Sequence, residues 1–272
     1  MPNLAKWTDS IRTTRALHDS TIVNSNGHKI QTYWIYAKHP THNTVLLIHG
    51  INSSAIQMMP IAYMYNHELD YNVFLYDQYA HGKSDGQEID LGRANVQNAL
   101  ACINIIKNNK RFTTPTHPAP NIVVHGISMG AVTTMLIAED TNTPSCISAY
   151  IEDCGYTDFT DLCEYTAEKI VDVDLPDFPL NSASQICELQ NGWSFQEASA
   201  LEQVKKCQHP MLFIHGDTDD FVPTAMVYPL YEAATCPKEL WLTEGVAHAL
   251  SYKMYPQEYT AKVRSFLEKY VK

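Results

Sequence analysis

The sequence predicts an α/β protein: an open, twisted, mainly parallel sheet with helices on both faces. Short runs rich in Val, Ile, Leu, Phe and Tyr recur along the chain, as in TVLLIHG, YNVFLYD, NIVVHGIS, ISAYIEDCG, HPMLFIHG and ELWLTEG. Successive positions in these runs are apolar, so both faces of each strand need covering, as in parallel sheets. Between them lie segments with apolar residues at i, i+3 and i+4, which puts helices in the crossovers.

Taken in order, STIVNSNGHKIQTYWIYA alternates apolar and polar residues on either side of NSNG, the pattern of a half-exposed hairpin with a tight turn. The strand runs follow, with helices expected over Ile56–Leu69, Leu91–Asn108, Met129–Glu139, Thr224–Ala234 and Pro256–Tyr270. Pro223 and Pro256 fall where a helix would begin. Residues 156–206 break the rhythm, being too long for a simple connection and too patterned for a loop. They are expected to form a helical cap inserted in a single domain spanning residues 1–272. The cap would offer Tyr165, Leu175, Phe178, Leu180, Trp193 and Phe195 above the sheet, either to line a pocket or to pack the cap down.

Bulk properties exclude several functions. With 45% hydrophobic and 18% charged residues, the chain can bury a large core and shows no disordered tract. The formal net charge of −11 repels nucleic acid and anionic membrane surfaces. No apolar run approaches the roughly 20 residues of a spanning helix. The first 20 residues lack the apolar segment of a secretory signal, so a cytoplasmic location is expected. Seven cysteines without a CxxC pair suggest free thiols, and neither a zinc site nor a disulfide framework. Oligomeric state is not legible.

In open parallel sheets, ligands bind beyond the carboxyl ends of the strands. His49, Asn52, Asp77, Ser128, Asp153, Asp217, Asp219, Asp220 and His248 all sit at such ends. A serine hydroxyl attacks only when a base takes its proton, and an imidazole serves best when a carboxylate fixes its tautomer. In NIVVHGISMGAV, Ser128 stands where a strand becomes a helix, and Gly126 and Gly130 are the places where a Cβ would collide with neighbouring backbone. The Met129 N–H, at the helix start, can donate to a developing oxyanion. An acid and then a histidine follow Ser128 in chain order.

The segments LLIHGINSS, DQYAHGKSDG, VHGISMGA, FIHGDTDDFVP and GVAHAL together resemble the α/β-hydrolase superfamily, closest to its bacterial branch of serine hydrolases labelled cell-surface hydrolases. The resemblance runs from about Thr21 to the end and is weakest in the cap. It implies Ser128 as nucleophile, Asp219 as the acid in HGxxDxxVP, His248 as general base, and the Ile51 N–H as second oxyanion donor beside Met129. Asp153, at the end of the preceding strand, is the alternative acid. Asp77, His81, Gly82 and Ser84 are expected to brace the nucleophile turn. Asn52 is left open between lining the pocket and donating to the oxyanion.

His49, His125 and His215 read as satisfied strand-end histidines, His39 and His42 as loop residues, and Cys154 as a core thiol. No cofactor or metal is implied. The expected function is hydrolysis of short-acyl carboxylic esters through an acyl-enzyme. The same groups would serve a lipase, thioesterase, amidase or peptidase, and a small-molecule receptor of the same fold is the alternative from another class.

Overall fold

The computed structural model describes residues 2–14, 16–91, 93–113, 115–117, 119–138, 146–171 and 177–271. Its strands are β1 (Leu17–Val23), β2 (Lys29–Ile35), β3 (Asn43–Ile48), β4 (Asn72–Tyr76), β5 (Asn121–Ile127), β6 (Ile147–Asp153), β7 (Met211–Gly216) and β8 (Lys238–Thr243). They form one sheet in the order β1-β2-β4-β3-β5-β6-β7-β8. β2 is antiparallel to β1 and β4, and every other pairing is parallel.

The helices are α1 (Pro2–Thr13), α2 (Met59–Tyr63), α3 (Arg93–Asn108), α4 (Met129–Ile137), α5 (Phe159–Val171), α6 (Asp177–Asn191), α7 (Ala200–Val204), α8 (Val227–Ala233), α9 (Ser251–Met254) and α10 (Pro256–Tyr270). α10 has the bounds expected from its apolar spacing. The helix expected over Ile56–Leu69 is less regular, since α2 is entered by a tight turn at Ala55–Met58 and left by a wide one at Met64–Glu68. A tight turn at Thr224–Met226 also precedes α8, and α3 starts two residues later than expected. Glu139, the expected end of α4, lies outside the described residues.

Alternation along the strands explains the two-sided core. On β3, Val45 and Leu47 join Trp7, Tyr65, Tyr259 and Phe266 beneath one face. Leu46 and Ile48 join Ile103, Val132, Phe213 and Leu230 on the other. The expected hairpin forms in register from Leu17↔Ile35 to Val23↔Lys29, and Gly27 takes the positive φ of +82° that its turn requires.

Between β6 and β7, α5, α6 and α7 occupy the stretch expected to form a cap. Trp193, Phe195 and Ala198 are buried there with Phe159 and Leu91 at their side, and Trp193 Nε1 donates to Asp90 at 3.1 Å. These two aromatic residues therefore pack this segment onto the body of the protein. Leu175 lies outside the described residues, as does the side chain of Phe178. No helix among the described residues is long and apolar enough to cross a membrane.

Candidate active site

The turn from β5 into α4 carries Ser128 at φ +57° and ψ −120°, a strained backbone for a residue with a Cβ. Its surroundings permit this only because the neighbours are glycine. A Cβ on Gly126 would run into the Gly130 carbonyl, and one on Gly130 into the Ile48 carbonyl. The turn is tied to β6 by the Ser128 N–H, which donates to the Asp153 carbonyl at 2.8 Å.

Three loops bring the partners of Ser128 together. Ser128 Oγ lies 2.8 Å from His248 Nε2, and His248 Nδ1 lies 2.7 Å from Asp219 Oδ2. The second oxygen of Asp219 accepts the N–H groups of Phe221 and Val222, each at 3.0 Å. Burial by itself would raise this carboxyl, but hydrogen bonds from His215 and His248 outweigh it and hold the group down at about 2. Asp219 is therefore ionised at neutral pH, His248 Nδ1–H donates to it, and the Nε2 lone pair faces the serine hydroxyl.

Asp153, the alternative acid, has a different environment. Its Oδ2 accepts from the Tyr259 hydroxyl at 2.8 Å, and burial pushes it up to about 6. It makes no hydrogen bond to His248. Asp217 accepts the Gly245 N–H, and Asp220 faces Lys169 of α5.

The loop after β3 sits beside Ser128: a Cβ built on Gly50 would lie 3.2 Å from Ser128 Cβ. Ile51 and Asn52 line a cleft of about 410 Å³ with Ser128, His248, Met58 and Phe221. Met129 is the first residue of α4, so its N–H has no partner within the helix. Phe221 is 56% exposed, and its ring sits 4.9 Å from the His248 ring, at the edge of this cleft.

The Asp77 group has a more specific role than expected. Asp77 accepts the N–H groups of Ala55 (2.8 Å) and Lys83 (3.0 Å), and His81 Nε2 accepts the Asn52 N–H at 3.3 Å. These residues hold the loop after β3, and the tie to α4, the helix that follows Ser128, comes instead from Gln78. Its amide reaches the His49 carbonyl, its side-chain oxygen accepts from Thr133 of α4, and its N–H donates to His49 Nε2. Sequence reasoning missed Gln78, whose type and position carry no motif.

Two of the strand-end histidines are satisfied as expected. His49 lies between the Gly50 carbonyl and the Gln78 N–H, and burial lowers it to about 4. His125 is held by the hydroxyls of Tyr65 and Tyr259, and burial lowers it to about 3. His215 differs, because its Nε2 lies 3.0 Å from the Val222 carbonyl and 3.4 Å from Asp219 Oδ2. Its position four residues before Asp219 was the available signal.

Among the described residues, one set of ligand-type atoms, from Cys154, Asp219 and His248, lies within 4.8 Å. Asp219 and His248 already bond each other, and burial, with Asp153 and Asp219 adding to it, holds the Cys154 thiol protonated well above its ordinary range. A metal there would have to break that pair and deprotonate a suppressed thiol.

The chain resembles known proteins over most of its length. The family described as serine aminopeptidase, S33 (Hydrolase_4) matches residues 39–152. A Bacillus subtilis protein named uncharacterized protein YqkD is 30% identical over 248 residues, covering 91% of this chain and 78% of that protein. Human alpha/beta hydrolase domain-containing protein 17B is 21% identical over 265 residues, 97% of this chain and 79% of its own length. Among solved structures, the Pyrococcus furiosus esterase Pf2001 superposes with a TM-score of 0.73 at 24% identity, covering 94% of this chain and 93% of its own. At that identity the likeness speaks for the fold. The chain belongs to the α/β-hydrolase superfamily.

Proposed function

We propose that the protein is a serine hydrolase of carboxylic esters with small acyl groups. The observation that carries this reading is the unbroken chain Asp219–His248–Ser128, with links of 2.7 and 2.8 Å. In this reading Ser128 attacks the acyl carbon as His248 takes its proton, and Asp219 keeps the imidazole in the productive tautomer. The Ile51 and Met129 N–H groups receive the oxyanion. His248 then protonates the leaving alcohol, activates a water, and the acid is released.

The cleft beside Ser128 supports a small acyl group, since about 410 Å³ is toward the lower end of ligand pockets. Residues 156–206 form the cap within a single catalytic domain on this reading. Seven free cysteines fit a reducing compartment such as the cytoplasm. The test is turnover of a panel of nitrophenyl esters, thioesters and aminoacyl anilides by the wild type and Ser128→Ala. Ester turnover that disappears in the variant supports the reading. Preference for the anilides would make the protein a peptidase, and tight ligand binding without turnover would make it a receptor.

A further inference from the structure

β6 ends in two adjacent carboxyl residues, and alternation sends them to opposite faces of the sheet. Asp153 goes to the α10 face, where the Tyr259 hydroxyl, itself beside His125, donates to it. Glu152 goes to the α4 face: its Oε2 accepts the Gly155 N–H at 2.9 Å, and Gly155 lies against Met135 and Ala131 of α4. Glu152 pairs in register with Phe213 on β7, and His215 is two residues further along that strand on the same face. Glu152 and His215 are both fully buried.

The protonation of His215 follows from its neighbours. The Val222 carbonyl can only accept, and the Asp219 carboxylate can only accept, so the Nε2 facing both must carry hydrogen. In a neutral ring Nδ1 then offers a lone pair. Nδ1 is buried with no hydrogen-bond partner, and so is Glu152 Oε1. An ionised carboxylate in that setting would carry a poorly compensated charge, so burial favours the neutral acid on Glu152, which shares no hydrogen bond with His215.

We propose that His215 is a positioning residue for Asp219, and that Glu152, buried behind it on the same face of the sheet, sets the charge around His215. The polar order is then Glu152, His215, Asp219, His248, Ser128, and the inference rests on the reading of the last three as a catalytic triad. Its effect is to hold Asp219 by a second imidazole donor while the His248 ring becomes positively charged.

The titratable groups around the pair are few. Asp219 and Glu152 act on His215, with Asp153 further off, and Asp153 acts on Glu152 from the other face of the sheet. His248 and Cys154 lie beyond Asp219. Burial foremost, with a smaller push from Asp153, lifts Glu152 to about 8 despite the opposing pull of His215. Burial presses His215 down, but Asp219 and Glu152 bring it above the ordinary histidine value. One proton is thus retained on the pair at neutral pH and leaves above it.

The test uses the full chain and compares two amides at one position. In His215→Gln the amide nitrogen can occupy the place of Nε2, and in His215→Asn it falls at the place of Nδ1. On a nitrophenyl ester, His215→Gln should keep kcat within about tenfold of wild type, while His215→Asn should lose roughly 100-fold with KM changed by less than about threefold.

The pH dependence of kcat/KM should also show, in the wild type, a second rise near pH 8 as negative charge develops on the pair. Glu152→Gln should abolish it. Melting curves on each variant separate misfolding from mispositioning. Equal losses in His215→Gln and His215→Asn in folded protein, or a Glu152→Gln profile that overlays the wild type, would overturn the inference. If the wild type fails to react with a fluorophosphonate at Ser128, it is the triad reading that falls.

Discussion

His248 Nδ1 meets Asp219 Oδ2 at 2.7 Å, while the neighbouring strand's Asp153 gives its carboxylate to the Tyr259 hydroxyl at 2.8 Å. Two carboxyl groups at adjacent strand ends thereby hold different partners. Asp219→Asn should lower kcat by about 10³- to 10⁴-fold, because an amide favours the wrong imidazole tautomer. Asp153→Asn should cost less than about tenfold. Steady-state kinetics on one ester decides, and a larger loss in Asp153→Asn would move the acid one strand earlier.

The buried carboxyls make stability depend on pH in a defined direction. Glu152 is raised from 4.5 to about 8 and Asp153 from 3.8 to about 6, each chiefly by burial. Unfolded, both ionise in the acid range, while the folded chain keeps them protonated. The stability they contribute is full below about pH 4 and is lost as pH rises to about 6 for Asp153 and 8 for Glu152. Asp219, lowered to about 2, has the opposite sign, and its contribution is lost only as pH falls towards that value. The Tm of wild type should therefore fall between pH 5 and 8.5, and Glu152→Gln should reduce that fall. A Glu152→Gln curve with the same slope as wild type would contradict the assignment.

The turn at Ser128 should tolerate no side chain at its glycines. In Gly126→Ala and Gly130→Ala the new methyl meets backbone carbonyls, which cannot rotate away. A cost of about 3 kcal/mol corresponds to a Tm drop of roughly 6–12 °C in a chain of this size. Gly27→Ala, with nothing within 4 Å of its Cβ, carries only the strain of a positive φ and should cost less. Differential scanning fluorimetry on the three variants checks the ranking.

Substrate length tests the cleft. Each methylene that fits should add about 0.8 kcal/mol of binding, close to fourfold in kcat/KM, until the space of about 410 Å³ is filled. The optimum on nitrophenyl esters should fall at roughly two to six acyl carbons, with no activation at a lipid interface. A steady rise to chains of ten or more carbons would identify a lipase-like site.

The parts of this protein that were legible in its sequence are those set by local pattern. Apolar residues at successive strand positions, such as Val45 to Ile48, require cover on both faces, and they received it. Gly126, Ser128 and Gly130 announced the turn because only glycine fits where backbones approach so closely. What stayed hidden depends on where side chains point across the fold. His215 reads as one more strand-end histidine until the turn at Asp219–Val222 folds back onto its ring.

Glu152 drew no reading, because sequence does not report that α4 covers it. Gln78 belongs to no motif, yet it joins the loop after β3 to α4. Trp193 and Phe195 could have lined a pocket or packed the inserted segment. The hydrogen bond from Trp193 to Asp90, more than a hundred residues away, is long-range information.

The central claim is that Ser128 is an activated nucleophile, and the most direct measurement is site mapping of a fluorophosphonate adduct by mass spectrometry. The account predicts one adduct, on Ser128, lost in Ser128→Ala and formed far more slowly in His248→Ala. An adduct that persists in Ser128→Ala, or that maps to Ser53 in the same cleft or to Ser84, would contradict it.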